Sequence, residues 1–174
     1  MSVTEASRDR VEDRLVALRE DYSGFPINQT TVAVSRDAYE RASERCRRGI
    51  VDAYVQLYND AEDVLLVEHD GEWVVPRGKP RASERVVAGT ERAIRDRTGV
   101  DCSLTGLERV TILGVRDEED PERPPVYRLV AVFEAEADAE STASVPGPNG
   151  DGGASADDGV RWEATLPDSA VPSH

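Results

Sequence analysis

Residues 73–100 read as a strand, a short loop, a helix and a hard stop, and that order limits what the chain can fold into. Trp73-Val74-Val75 is apolar and β-prone, and Pro76 ends it. Residues 77–82 are polar and form the loop. Five residues separate Gly78 from Glu84, and seven separate Glu84 from Arg92. Ser83 is placed to cap a helix from about Glu84 to Thr98, and Gly99 to stop it. Val87, Ala88 and Ile94 are the apolar positions of that helix. Positions 93, 96 and 97 stand as i, i+3 and i+4, so they share one face. Glu91 with Arg95, and Arg92 with Asp96, are spaced for ion pairs along the helix.

The rest of the chain supplies layers for this unit. Val11, Leu15 and Leu18 recur at helical spacing over residues 8–20, and Gly24 and Pro26 lie in the break after it. Residues 36–48 predict a second helix, capped by Ser35, stopped by Gly49, and buried through Tyr39, Ala42 and Cys46. From Ile50 the period changes to that of strands. Val51, Ala53, Val55 and Leu57 alternate, and Val64–Val67 is a buried run. Asp70-Gly71 predicts a hairpin turn into Trp73. Further strands are expected near 109–115, 126–134 and 160–162, and Leu166-Pro167 begins a short tail. Residues 135–159 hold six acidic residues and no basic one, and Val145 is their one clearly apolar residue besides alanines. Such a stretch cannot bury enough surface to offset its ordering entropy, so a disordered acidic insert is expected at about 137–158.

Gly78, Glu84, Arg92, Ile94, Gly99 and Val100 fall in the register of G-x5-E-x7-R-E-U-x-E-E-x-G-U, where U is bulky and apolar. This stretch resembles the Nudix box, and the resemblance to that family covers roughly residues 50–134 and resumes near 160–168. Pro76-Arg77-Gly78-Lys79 stands where Pro-Gly-Gly-Lys is common in that family. The resemblance implies an α+β fold, a Nudix-like α/β/α sandwich with a mixed sheet at 50–170, preceded by an N-terminal helical segment at 1–49. It implies a hydrolase of nucleoside-diphosphate-linked compounds that uses Mg²⁺ to bridge the diphosphate and orient water. Glu84 and Asp96 then become the catalytic and metal-holding carboxylates. Arg77, Gly78, Lys79 and Arg97 become substrate-binding, and Arg92 and Gly99 structural.

The departures from the box have chemical consequences. Three acidic positions read Ala93, Asp96 and Arg97. A methyl cannot ligate, and a guanidinium has no lone pair to give and repels a cation. Mg²⁺ binding is therefore expected to be weak or absent, and hydrolysis weak. The acidic run Asp117–Asp120 is a candidate source of a ligand from outside the box. The alternative is a non-catalytic module that binds a nucleotide or sugar nucleotide, its diphosphate held by the cations Arg77, Lys79, Arg81 and Arg97 without metal. A third reading keeps the fold alone, for contact with a partner. Trp73 is a candidate for stacking on a base, or a core residue of the hairpin. His69 reads as a turn residue.

Charge sets the wider limits. There are 35 acidic against 21 basic residues, a net charge of −14, and Lys79 is the sole lysine. An acidic, lysine-poor surface suits a halophilic cytoplasm, where the Debye length falls to about 3 Å at 1 M salt and self-repulsion is screened. Duplex nucleic acid is not an expected partner, because no basic patch offsets the charge. No signal-peptide core and no apolar run of about 18 residues is present, so a soluble cytoplasmic protein without a membrane partner is expected. Cys46 and Cys102 lack metal-ligand spacing.

Overall fold

The computed structural model describes residues 3–139, 145 and 159–171. In chain order the elements are α1 (Val3–Asp21), β1 (Ile27–Val34), α2 (Arg36–Arg48), β2 (Val51–Tyr58), β3 (Val64–His69), β4 (Glu72–Val74), β5 (Arg77–Gly78), α3 (Val86–Thr98), β6 (Cys102–Asp117), β7 (Val126–Ala137), β8 (Val160–Glu163) and a 3₁₀ turn at Asp168–Ala170. The strands form one sheet in the order β1-β6-β7-β2-β3-β4, with β5 also on β2 and β8 also on β3. Pairs β1/β6 and β2/β7 are parallel, while β6/β7, β3/β4 and β3/β8 are antiparallel. The sheet is mixed and carries helices, as expected of the α+β class. No described helix is long and apolar enough to cross a membrane.

Alternation along the central strands builds the core. Val51, Ala53, Val55 and Leu57 of β2 point the same way as Leu129, Ala131, Phe133 and Ala135 of β7. Onto them pack Val11, Leu15 and Leu18 of α1, Tyr39, Ala42 and Cys46 of α2, and Val86 and Ile94 of α3. A smaller cluster of Val64, Leu66, Val75 and Ala170 is joined by Leu166 and Val171 of the tail.

Local signals place several elements as expected. Ser35 Oγ accepts from the Ala38 amide at 3.2 Å, so α2 spans the predicted residues. Asp70 and Gly71 have φ of 51° and 82°, the paired positive values of a type I′ hairpin. Val160–Glu163 returns antiparallel to β3.

Other boundaries differ from expectation. The first helix begins at Val3, five residues before the expected start at residue 8. Strand β1 is not among the expected elements; its sequence INQTTVAV is largely exposed and is held by its pairing to distant β6. Residues 3–48 thus share the sheet and the core with the strands from β2 onward. Gly49 has extended backbone, φ 176°, so conformation does not demand glycine there. A Cβ at Gly49 would instead lie 2.5 Å from the Pro80 carbonyl oxygen, so the end of α2 abuts the loop before α3. Ser83 does not cap α3: Arg85 holds the N-cap position and makes no side-chain cap bond. Val86, not Val87 or Ala88, is the buried apolar residue of its first turn. Most of the expected insert at 137–158 lies outside the described residues; Ala137 ends β7 and Val145 is buried in the main core.

Candidate functional site

Helix α3 lies over β5, where Gly78 is buried, and Gly99 ends it in the left-handed conformation, φ 76°. The closeness of helix to strand follows from Gly78: a Cβ there would sit 3.3 Å from Ala93 Cβ. Beside this contact lies a cavity of about 730 Å³, walled by α3, β5, the β3–β4 hairpin and the 3₁₀ turn. Arg77, Lys79, Arg92 and Arg97 line it together with Asp96, Glu68, His69 and Ser169. Its apolar lining is Tyr54, Val67, Val74, Val75, Ala93 and Ala170.

The sequence-predicted residues divide into two groups. Arg92 Nε and Nη2 donate to Glu84 Oε2 and Oε1 at 2.7 and 2.9 Å, a bidentate fork. The Arg81 amide adds a third bond to Glu84 Oε1 at 2.8 Å. Arg92 Nη1 reaches Asp96 Oδ2 at 3.1 Å, the ion pair expected from spacing. Both box carboxylates therefore converge on one guanidinium. Glu84 does not line the large cavity; it borders a smaller one of about 160 Å³ between α1 and the start of α3. The Arg92 bonds, followed by the Arg81 amide, hold the Glu84 carboxyl down to about 2, and Glu84 in turn pushes the Arg92 pKa up.

Arg77, Lys79 and Arg97 form the second group. None has an ion-pair partner among the described residues, and Arg97 makes only a long 3.4 Å contact to the Glu68 carbonyl. The Arg77 guanidinium lies 5.9 Å from the centre of the Tyr54 ring. Burial, and after it the charge of Arg77, lowers the pKa of Lys79. Positive charge is thus concentrated along this cavity, which favours an anion there.

Mg²⁺, implied by the Nudix resemblance, does not fit these residues. Glu84 already accepts three bonds from Arg92 and the Arg81 amide, Asp96 shares the same arginine, Ala93 ligates nothing, and Arg97 lines the cavity with Asp96. Among the described residues no group of three or more His, Cys, Asp or Glu could hold a metal ion. Within the acidic run, Asp117 is already committed. Asp117 is buried, takes Arg36 and Arg123 at 3.4 and 3.5 Å, and caps the Glu119 amide at 2.9 Å, at the far end of β1 and β6.

Of the other candidates only His69 lines the cavity. Arg81 is exposed and outside the cavity lining. Trp73 is covered by the Arg161 guanidinium, 4.0 Å from its ring centre, and joins the smaller core cluster. His69 is exposed beside Asp70, with Nε2 at 3.4 Å from its carboxylate. Glu91 accepts from the Leu104 amide, while Arg95 pairs with Asp101, so the expected Glu91–Arg95 pair is replaced by longer-range contacts.

Two supports of the site were not legible in the sequence. Arg14 of α1 donates to the carbonyls of Glu84, Arg81 and Ala82 at 2.6, 2.9 and 3.1 Å, and the Ala82 amide bonds the Arg48 carbonyl at 2.9 Å. Asp52 and Arg128, whose charges act on Lys79, form a buried bidentate pair at 2.9 and 3.1 Å. Burial alone would raise the Asp52 pKa, but the Arg128 bonds and the charges of Arg128, Arg77 and Lys79 leave it lowered.

The Glu84 clamp makes a pH prediction. Its pKa falls from 4.5 unfolded to about 2 folded. A depressed carboxyl contributes stability above its unfolded value and loses it on acidification through the folded value. Glu84→Gln should therefore lower the unfolding midpoint at pH 7, and the gap to the parent should close between about pH 4.5 and 2. Thermal unfolding of both proteins across that range tests it; a gap independent of pH would show that Arg92 does not hold the ionised form.

No protein-family model and no curated protein matches this chain. Solved structures similar to it include a MutT protein from Methanosarcina mazei Go1, at 17% identity and TM-score 0.36, over 53% of this chain and 72% of that one. Another is a UDP-X diphosphatase, at 14% identity and TM-score 0.43, over 95% of this chain and 89% of that one. Likeness at this level assigns neither family nor activity.

Proposed function

We propose that this chain is a Nudix-like module that binds the diphosphate of a nucleotide or sugar nucleotide through Arg77, Lys79 and Arg97, without metal. The carrying observation is that three cations lacking ion-pair partners among the described residues line one cavity while Arg92 takes both box carboxylates. Guanidinium forks recognise phosphate oxygens directly, and Lys79 adds a point charge. The apolar wall of Tyr54, Val67, Val74 and Val75 offers room for the group joined to the diphosphate. The order of Gly78, Glu84, Arg92 and Gly99 supports a nucleotide-type ligand by its likeness to the Nudix box.

Calorimetric titration with ADP and with UDP-glucose, at one fixed KCl concentration, tests this reading. Binding should be equal in EDTA and in Mg²⁺. Arg77→Ala and Arg97→Ala should each weaken it by about 10-fold or more, the scale of a hydrogen bond to a charged group. Phosphate release with Mg²⁺ should stay at background. Binding that requires Mg²⁺, or turnover near ~1 s⁻¹, would favour the hydrolase instead.

A further inference from the structure

We propose that β1 is a self-pairing edge, and that two copies of this chain join through antiparallel β1–β1 contact into one continuous sheet. This rests on the fold and is independent of the cavity.

The strand stands at one end of the sheet order, with β6 on one side and no described strand on the other. Proteins normally blunt such an edge with charge, proline, a bulge or shortness. Strand β1 has eight residues, INQTTVAV, with no charge and no proline, and pairs with β6 without a register break. In a chain that is 32% charged, this edge is conspicuously uncharged. Ile27 and Val16 are the exposed large hydrophobic residues among those described, and Ile27 begins this strand.

Backbone parity fixes which groups are open. The carbonyls of Pro26 and Val34 accept from Val110 and Glu118 on the β6 side. Successive residues of a strand alternate direction, so the even positions bond to β6. Ile27, Gln29, Thr31 and Ala33 therefore send both N–H and C=O outward.

These open groups are self-complementary. A two-fold axis normal to the sheet keeps each face on its own side, so opposed residues must have equal parity. Centring the axis on Thr30 sets Ile27 against Ala33 and Gln29 against Thr31 of the other copy. All four positions are then hydrogen-bonded pairs that exchange both bonds, and no outward donor or acceptor is left open. A partner with a net charge of −14 is repelled by most of this surface. Along β1 itself no like charges are opposed, and a second copy of the strand matches its outward donors and acceptors one for one.

The experiment uses the full chain at a fixed high KCl concentration. Sedimentation equilibrium from about 1 to 500 µM should show reversible dimers. Gln29→Pro and Ala33→Pro each remove one outward N–H and leave the β6 ladder intact. Each should weaken the dimer at least ~10-fold with the monomer still folded by circular dichroism, and two variants guard against one that fails to fold. Thr30→Cys should give a reducible dimer absent from the parent, because the two Thr30 Cα atoms would lie about 4.5 Å apart in a non-hydrogen-bonded pair. A monomer throughout the concentration range overturns the proposal. So does a dimer indifferent to both proline variants, which would place the contact on another surface.

Discussion

Arg128→Met is expected to destabilise the protein by about 3–5 kcal/mol, the scale seen when one partner of a buried ion pair is removed. That is a large share of the roughly 5–15 kcal/mol by which domains are stable. Arg128 is nearly inaccessible, its side chain 4% exposed and that of Asp52 11%. Methionine keeps most of the apolar stem but leaves the buried Asp52 carboxylate of β2 with only the more distant charges of Arg77 and Lys79. It also releases the Gly49 carbonyl, which Arg128 Nη1 bonds at 3.2 Å, at the point where α2 abuts Pro80. The companion variant carrying Asp52→Asn as well should recover part of the loss, because no unpaired charge remains. The pH dependence has a definite sign. In the parent the Asp52 pKa is lowered, so its ionised form contributes stability that fades on acidification. In Arg128→Met burial dominates and raises it, so acid restores stability. The deficit should therefore narrow as pH falls, as measured by denaturant unfolding of the three proteins. A deficit constant with pH would mean that lost packing, not the stranded carboxylate, accounts for the effect.

How much of the structure was legible in the sequence depends on the range of each interaction. The Ser35 cap, the Asp70-Gly71 hairpin and the Gly99 stop are settled within a few residues, and the structure has all three. Arg92–Asp96 is one helical turn apart and was legible for the same reason. The Glu84–Arg92 fork was not. Glu84 precedes the helix, and its reach to Arg92 depends on a loop held by Arg14, 70 residues earlier in the chain than Glu84. The N-cap falls on Arg85 and not on Ser83, whose local sequence signal gave no sign of it. Strand β1 escaped because an exposed edge strand has a weak apolar alternation; its order derives from β6. At the site, spacing correctly put positions 93, 96 and 97 together on the cavity wall. It could not show that one guanidinium would claim both box carboxylates.

Reversing the charge of that wall gives the sharpest test of the proposed chemistry. Ala93→Glu with Arg97→Glu removes one positive charge and adds two negative ones on the helix face that already carries Asp96. In EDTA, ADP affinity should fall at least ~100-fold: the Arg97 contact alone is worth about 1.5–3 kcal/mol, and two carboxylates now repel the diphosphate. The same change should create Mg²⁺ affinity, because the two introduced glutamates and Asp96, at i, i+4 and i+3, supply clustered oxygen ligands. Asp96 can join them while Arg92 remains on Glu84, to which it is bound by two bonds against one for Asp96. Arg97→Gln separates the causes, since it removes attraction without adding repulsion or ligands; it should weaken ADP by about 10-fold and gain no Mg²⁺. Circular dichroism should show α3 retained in all variants, glutamate and glutamine being good helix formers. If the double variant binds ADP as the parent does, the anion is held away from α3 and the cavity is not its site. If it loses ADP but gains no Mg²⁺, then anion recognition by Arg97 stands, and the clamp of Arg92 on Asp96 suffices to keep a metal out even when its ligands are restored.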